Sequence, residues 1–334
     1  MDLLLIIRGL AAIFVVFWHG FGAYHVNDIS PLLNVPGRTA VWIFFGISGY
    51  VICYGFIHQK YSYSFNGLKN FYINRILRIY PLFICISLIS WAIEYSLSGV
   101  NPLGLKNLHA QILGLQFNHD YILNGVFWTL GVEIHFYLIA PALCLLFTIL
   151  SRKKSLAFGI LFYVGLIGLQ DFFVIKYGWN YDGRNIISNL PHFFIGIVGC
   201  FFVSGYKPST FRLVLSIFTS IFLLAVTNYL YHKNAAIYWS ITGILLIDAL
   251  ILALIIAHGS IDKNASKSKV YLIFGFLGFI SYGIYAWHPL LMRFLDNIQI
   301  QPFYVTILIL FITIVIAVIS FKVIEKPYLK LRRY

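Results

Sequence analysis

Charged side chains are scarce in this sequence. Only 10% of its 334 residues are Asp, Glu, Lys or Arg, 60% are hydrophobic, and the mean hydropathy is +0.85. In soluble domains about a quarter of the residues are charged. This deficit excludes an ordinary water-soluble domain, and it predicts an all-α, polytopic membrane protein.

Cysteine is scarce as well, and its four positions have neither disulfide-framework nor metal-ligand spacing. Cys53, Cys85, Cys144 and Cys200 all fall within apolar runs, so we expect buried thiols and no metal. The N-terminus lacks the basic region and the cleavage pattern of a signal peptide, which predicts an uncleaved first helix. We expect one integral-membrane domain over residues 1–334, with no appended soluble domain.

Acidic residues are fewer than basic ones, 11 against 24, which gives a formal net charge of +13. Nucleic-acid-binding proteins have such a balance, but they cluster their cations on a soluble face. Here the cations are distributed between apolar segments. We therefore expect no nucleic-acid partner, and membrane lipids around most of the surface.

Apolar runs of about 20 residues, the length that crosses a bilayer, occur ten times. With the N-terminus inside, the cytoplasmic segments hold seventeen Lys and Arg residues and the outer segments hold six, with Arg8 inside the first run. The positive-inside rule then predicts that both termini are cytoplasmic. The ten predicted transmembrane helices lie near residues 3–24, 39–58, 79–98, 126–149, 155–175, 188–205, 211–231, 237–257, 271–292 and 303–322.

Two of the predicted loops are long. The cytoplasmic loop 60–78 mixes aromatic and basic residues, which predicts a segment that lies along the membrane interface before the third helix turns in. The outer loop 99–125 is polar, and it is either part of an acceptor site or a plain solvated connection.

Arg8 and His19 stand inside the first apolar run, where an ionisable side chain costs at least about 2.5–3.5 kcal/mol. They are separated by about three helical turns, so they share one helix face and lie about 16 Å apart along the axis. Ionisable residues in such positions are by default functional and face the protein interior.

Three titratable side chains fall in the outer half of the bilayer in this topology. They are His19, Glu133 and His288. Imidazole titrates near neutral pH, and a buried carboxylate fixes its tautomer and stabilises its cation. This trio therefore predicts general acid–base chemistry.

Three arginines, Arg8, Arg75 and Arg78, fall at or near the inner face. Arginine clusters bind phosphate through fixed charge and forked donors. The two layers together suit a substrate whose phosphorylated head stays at the cytoplasmic surface while its reactive end reaches outward. Coenzyme A fits that description.

Each of these residues also has a purely structural alternative. Asp248 and His192 lie equally deep in predicted helices, and we assign them no role. The alternatives are snorkelling for Arg8, an interhelical hydrogen bond for His19, a structural ion pair for Glu133, an interfacial position for His288, and topology determination for Arg75 and Arg78.

Six short motifs follow one another along the chain: Arg8-Gly-Leu-Ala-Ala with His19 after six more residues, Phe44-Phe-Gly-Ile-Ser-Gly-Tyr50, Arg75-Ile-Leu-Arg78, Trp128-Thr-Leu-Gly-Val-Glu133-Ile-His-Phe-Tyr137, Ser281-Tyr-Gly-Ile-Tyr-Ala-Trp-His288-Pro289 and Glu325-Lys-Pro327. In this order they resemble acyltransferase family 3, the bacterial integral-membrane O-acyltransferases that modify cell-surface glycans. The chain departs from the family pattern at Thr129, where serine is usual, and at His135.

The resemblance implies that acetyl-CoA enters from the cytoplasm and that a sugar hydroxyl of a surface glycan, first of all O-antigen or exopolysaccharide, is acylated toward the outside. It implies the bacterial cytoplasmic (inner) membrane as the location. His19 is then the base or a transient acyl carrier, oriented by Glu133 or His288, and the three arginines hold the donor phosphates. The alternatives are a ten-helix transporter or exporter with a proton relay, and an inert assembly partner of a polysaccharide synthase.

Overall fold

The computed structural model describes residues 3–23, 35–98, 110, 112–114, 124–149, 152–179, 181, 183–261, 269–295 and 302–333. The expectation of an acceptor site in loop 99–125 falls almost entirely outside them. Within these ranges all regular secondary structure is helical. The helices are α1 (Leu3–Ala23), α2 (Gly37–Ile57), α3 (Phe65–Ser98), α4 (Trp128–Ile149), α5 (Arg152–Tyr177), α6 (Ile186–Val203), α7 (Thr210–Lys233), α8 (Ala235–Tyr238), α9 (Ile241–Ser260), α10 (Lys269–Leu295), α11 (Pro302–Ser320) and, after a π-helical segment Phe321–Glu325, α12 (Lys326–Leu329).

The long helices follow the predicted apolar runs. In the part of the chain that the structure describes, nine helices are long and apolar enough to cross a membrane by length and composition. The predicted run 271–292 is also helical, in α10, which interrupts its apolar residues with Ser281, Tyr285 and His288. The chain is therefore an all-α, multi-pass membrane protein, as its composition predicted.

The start of the third helix is the largest departure from the prediction. We expected an interfacial segment and then a turn near residue 79, but α3 continues unbroken through Pro81 for 34 residues. Proline is tolerated within membrane helices because neighbouring groups satisfy the freed backbone carbonyl. At about 1.5 Å per residue α3 is about 51 Å long and extends well beyond a hydrocarbon layer of about 30 Å. Arg75 and Arg78 therefore lie one turn apart on one helix.

Helix α1 packs most extensively against α10. A Cβ placed on Gly278 would lie 2.0 Å from the carbonyl oxygen of Leu5, so the two backbones touch there. Farther along both helices, His19 contacts His288. The two helices therefore run parallel.

Helices α2 and α6 also approach with their backbones in contact. A Cβ on Gly49 would lie 2.0 Å from the carbonyl oxygen of Phe193, and one on Gly196 would lie 2.0 Å from that of Gly46. Small residues allow membrane helices to come this close. Two glycines of the Phe44–Tyr50 motif thus have a packing role.

His192 and Asp248, the two deep residues without a predicted role, are paired with each other. His192 Nδ1 lies 2.6 Å from Asp248 Oδ1, and the Tyr163 hydroxyl donates to Asp248 Oδ2 at 2.5 Å. Both residues of the pair are buried. Because a buried carboxylate must be paired or hydrogen-bonded, this network joins α5, α6 and α9 in the core.

We predict that Gly49→Ala and Gly196→Ala each destabilise the protein by about 1–3 kcal/mol, because the new methyl group overpacks the α2–α6 contact. The measurement is the thermal unfolding midpoint of purified protein in detergent. Gly168→Ala in α5 is the matched control, since a Cβ there meets no atom within 4 Å. Equal midpoints for the three variants would show that the α2–α6 contact is not tight.

Candidate functional site

A cavity of about 60 Å³ lies between α1, α2, α3, α4 and α10, and we name it the Arg8 cavity. Its polar lining includes Arg8, Arg78 and Glu133. Arg8 is close enough to Arg78 and Glu133 to interact with both electrostatically. The sequence placed Arg8 and Glu133 on two predicted helices and Arg78 in the loop before a third, and the fold brings them into one space.

The Glu133 carboxylate is fixed by two hydroxyl donors. Ser48 Oγ donates to Glu133 Oε1 at 2.9 Å, and the Tyr137 hydroxyl donates to the same oxygen at 2.5 Å. Ser48 belongs to the Phe44–Tyr50 motif, and Tyr137 lies one turn after Glu133. Two of the recognised motifs therefore meet at this carboxylate.

Arg75 lies near the Arg8 cavity but does not line it. Its guanidinium donates to the Tyr61 hydroxyl at 3.4 Å and lies over the rings of Phe71 and Tyr137, 5.4 Å and 5.6 Å from their centroids. Tyr137 thus has Glu133 on its hydroxyl and Arg75 against its ring. Of the two arginines of the Arg-x-x-Arg motif, Arg78 is the one that lines the cavity.

A second cavity, of about 220 Å³, lies at the other end of α1, and we name it the His19 cavity. His19 lines it, while His288 is completely buried behind. His19 Nδ1 and His288 Nε2 are 3.0 Å apart, and the two rings stack with centroids 5.1 Å apart. Since this hydrogen bond uses Nδ1 of His19, Nε2 is the nitrogen left for chemistry in the cavity.

The two cavities adjoin at Val41 and Tyr285, which line both. The Tyr285 hydroxyl donates to the Val126 carbonyl oxygen at 3.1 Å and lies 3.0 Å from Thr129 Oγ1. The hydroxyl at position 129, where the family pattern has serine, thus helps to hold Tyr285. The Tyr285 side chain is a wall between the arginines and the histidines.

The structure divides the predicted site residues by cavity. His19 and His288 form a pair, as expected. Glu133 accompanies the arginines instead: in the described part of the chain its hydrogen bonds go to Ser48 and Tyr137, and none links it to His19. Its catalytic role stays a prediction.

Residues that we had considered only as topology signals also line the His19 cavity. Arg38 and Arg184 are two of the six basic residues that the predicted topology assigns to outer segments, and both line this cavity. Arg38 lies in the first turn of α2 and Arg184 lies just before α6, both at the end of the bundle where His19 was expected. This position could have predicted that they lie near His19. The aromatic residues Trp18, Trp128, Tyr231 and Trp239 also line this cavity.

Known proteins are similar to this chain over nearly its whole length. A protein of Staphylococcus aureus (strain COL) whose name proposes an O-acetyltransferase is 25% identical over 96% of this chain and 56% of its own length. Peptidoglycan O-acetyltransferase OatA of Listeria monocytogenes serovar 1/2a (strain ATCC BAA-679 / EGD-e) is 28% identical over 97% of this chain and 55% of its own. Nodulation protein 10 of Rhizobium leguminosarum bv. viciae is 26% identical over 98% of this chain and 93% of its own length.

The chain spans about half the length of the first two of these relatives. No solved structure matches it. The family model described as an acyltransferase domain matches residues 4–322, a range that includes both cavities and every predicted site residue. The chain therefore belongs to the acyltransferase 3 family of membrane proteins.

Proposed function

We propose that this protein is a membrane O-acetyltransferase that moves an acetyl group from cytoplasmic acetyl-CoA to a hydroxyl of a surface glycan. Residues 1–334 act as one acyltransferase domain in the bacterial cytoplasmic (inner) membrane, with both termini in the cytoplasm. The family match and the O-acetyltransferase names of two relatives support this activity. O-antigen or exopolysaccharide is the proposed acceptor, and peptidoglycan, which the name of the Listeria relative gives, is the alternative.

The observation that carries the proposal is the separation of two kinds of chemistry by two side chains. Arginines and a carboxylate line the Arg8 cavity, and a histidine pair borders the His19 cavity, with Tyr285 and Val41 between them. A phosphorylated donor and a hydroxyl acceptor need these two environments, and the transferred acetyl group must pass between them.

On the acceptor side, His19 is the base. For Nε2 to accept a proton, Nδ1 must carry a hydrogen, so His19 Nδ1 donates to His288 Nε2. His19 Nε2 takes the proton of the acceptor hydroxyl as its oxygen attacks the thioester carbonyl carbon. The carbon–sulfur bond then breaks, and His19 returns the proton to the CoA sulfur. His288 is a positioning residue, because it sets the tautomer and orientation of His19.

On the donor side, Arg8 and Arg78 bind phosphate groups of CoA, and Arg75 supports the same region through Tyr137. Forked guanidinium donors suit phosphate oxygens, and several positive charges suit a polyphosphorylated head. Glu133 balances the local positive charge in the absence of donor, since an unpaired arginine cluster in a membrane is costly. No residue in this scheme requires a metal.

We predict that His19→Ala lowers acetyl transfer by about 10²–10⁴-fold, the usual contribution of a general base. The measurement is O-acetylation of the host's surface glycan by mass spectrometry in a strain without the native gene that expresses each variant. His232→Ala, an exposed histidine, is the matched control and retains the activity. Wild-type acetylation by His19→Ala at normal protein levels would remove the proposed base.

An assay with purified protein distinguishes an acetyltransferase from the alternative functions. Purified protein with labelled acetyl-CoA and the extracted glycan gives labelled glycan if the chain catalyses the transfer. A transporter or an inert assembly partner transfers no label under these conditions, even where its gene is needed for glycan acetylation in cells.

We predict that Arg78→Gln raises the KM for acetyl-CoA about tenfold or more, because a charged hydrogen bond to phosphate contributes about 1.5–3 kcal/mol. Acetyl-pantetheine, a thioester without phosphates, is the comparison substrate, and its kcat/KM changes little in this variant. Lys69→Gln is the control, because Lys69 is an exposed cation on the same helix. An equal loss with both thioesters would assign Arg78 to the fold and not to phosphate binding.

A further inference from the structure

The boundary between the two cavities is formed by one side chain from each of two helices. Val41 of α2 and Tyr285 of α10 line both the Arg8 cavity and the His19 cavity. In the proposed reaction the phosphates of CoA stay on the arginine side, so the part of the donor that reaches this boundary is its acyl group. These two side chains are therefore placed to contact the acyl chain.

Tyr285 is immobilised by hydrogen bonds on the α4 side. Its hydroxyl donates to the Val126 carbonyl oxygen at 3.1 Å and lies 3.0 Å from Thr129 Oγ1, which donates to the same carbonyl oxygen at 2.9 Å. The next residue of α10 is tied to the same segment, because Asn124 Nδ2 donates to the Ala286 carbonyl oxygen at 3.1 Å. Moving the Tyr285 ring aside would break buried hydrogen bonds, so this ring is a fixed wall.

The α2 side of the boundary is equally firm. Phe45, one turn after Val41, stacks on Phe193 of α6 with ring centroids 4.4 Å apart, and Phe193 stacks on Phe136 of α4 at 4.0 Å. All three rings are buried. Since the backbones of α2 and α6 are already in contact, α2 has no space in which to retreat from Tyr285.

Little free volume borders this wall on the donor side. The Arg8 cavity has about 60 Å³, whereas an apolar cavity that accepts benzene has about 150 Å³. The Phe44 ring, which lines the Arg8 cavity, meets the Tyr285 ring edge-on with centroids 6.2 Å apart. Interiors packed in this way resist each added methylene group. An acyl chain longer than two carbons would therefore have to displace packed side chains.

We propose that Val41 and Tyr285 determine the acyl specificity of the enzyme, because they leave a passage for a two-carbon acetyl group and exclude longer acyl chains. This assignment rests on the proposed function and specifies its donor.

The test is a chain-length series with purified full-length protein in detergent and the extracted glycan. The donors are acetyl-CoA, propionyl-CoA and butyryl-CoA, and the measured quantity is kcat/KM for acylation of the glycan, followed by mass spectrometry. One methylene group in an apolar pocket changes kcat/KM by about 10–200-fold. We therefore expect kcat/KM to fall with each methylene group and to be about a hundredfold or more lower for butyryl-CoA than for acetyl-CoA.

Variants locate the restriction. Val41→Ala widens the passage and raises the butyryl-to-acetyl ratio of kcat/KM about tenfold or more. Tyr285→Phe keeps the ring and removes the hydroxyl that fixes it, so the ratio rises here as well, and this variant keeps the test valid if Val41→Ala fails to fold. Val198→Ala on α6 is the matched control and leaves the ratio unchanged, since Val198 is 7% exposed against 6% for Val41 but lines neither cavity.

Three results would overturn the proposal: equal kcat/KM of the wild type for acetyl-CoA and butyryl-CoA, an unchanged ratio in both boundary variants, or an equal rise of the ratio in Val198→Ala. Acetyl transfer accompanied by any of these results leaves the acetyltransferase standing and removes only the acyl selection. A protein that transfers no acyl group from any of the three donors would contradict the proposed function itself, and the acyl selection with it.

Discussion

The structure depends on one constraint, the cost of placing ionisable groups in a layer that cannot solvate them. The chain meets it by pairing these groups with each other. His19 is bonded to His288, Glu133 accepts from two hydroxyl groups, and His192 is paired with Asp248. Each of these side chains has at least one partner on another helix, so none of them lies unpaired in the lipid.

Such pairing requires helices that approach closely, and glycine provides the approach. Gly278 allows the α1 and α10 backbones to touch, and ten residues later on α10 His288 meets His19. Gly49 and Gly196 do the same for α2 and α6, next to the helix turn that supplies Ser48 to Glu133. These glycines and the motif polar residues are therefore parts of one arrangement, because the small residues set the helix spacing at which the polar residues reach their partners.

The sequence was sufficient to predict most of the helices and the separation of Arg8 from His19 along α1. Helix depth follows from run length and rise per residue, so Arg8 and His19 could be assigned to opposite ends of α1. Lateral partners could not be predicted in the same way, because one sequence does not say which helices are neighbours. Glu133 was expected beside His19 in the outer half, whereas the fold places it in the Arg8 cavity with Arg8 and Arg78.

For Arg38 and Arg184, the end of the bundle was predictable from the sequence, but the side of the helix on which each side chain lies was not. Arg38 and Arg184 counted correctly as charges of the same end as His19, and only the packing of α2, α4 and α6 turns them into its cavity. The continuous α3 was missed for a different reason. The mixture of aromatic and basic residues before residue 79 predicted a separate interfacial segment, whereas in the structure those residues continue the same helix.

In the proposed reaction, the wall between the two cavities determines how much of the donor has to move. The phosphates of CoA can remain at Arg8 and Arg78, since only the acetyl thioester must reach His19. Val41 and Tyr285 are the side chains that this small group has to pass, and Tyr285 is held by hydrogen bonds to residues of the segment that begins α4. The charged head of CoA would stay on the donor side while the two-carbon acetyl group passes to the acceptor side. Acetyl would thus cross the membrane without transport of CoA. The barrier to charged molecules would thus be maintained by the same residues that bring donor and acceptor within reach of each other.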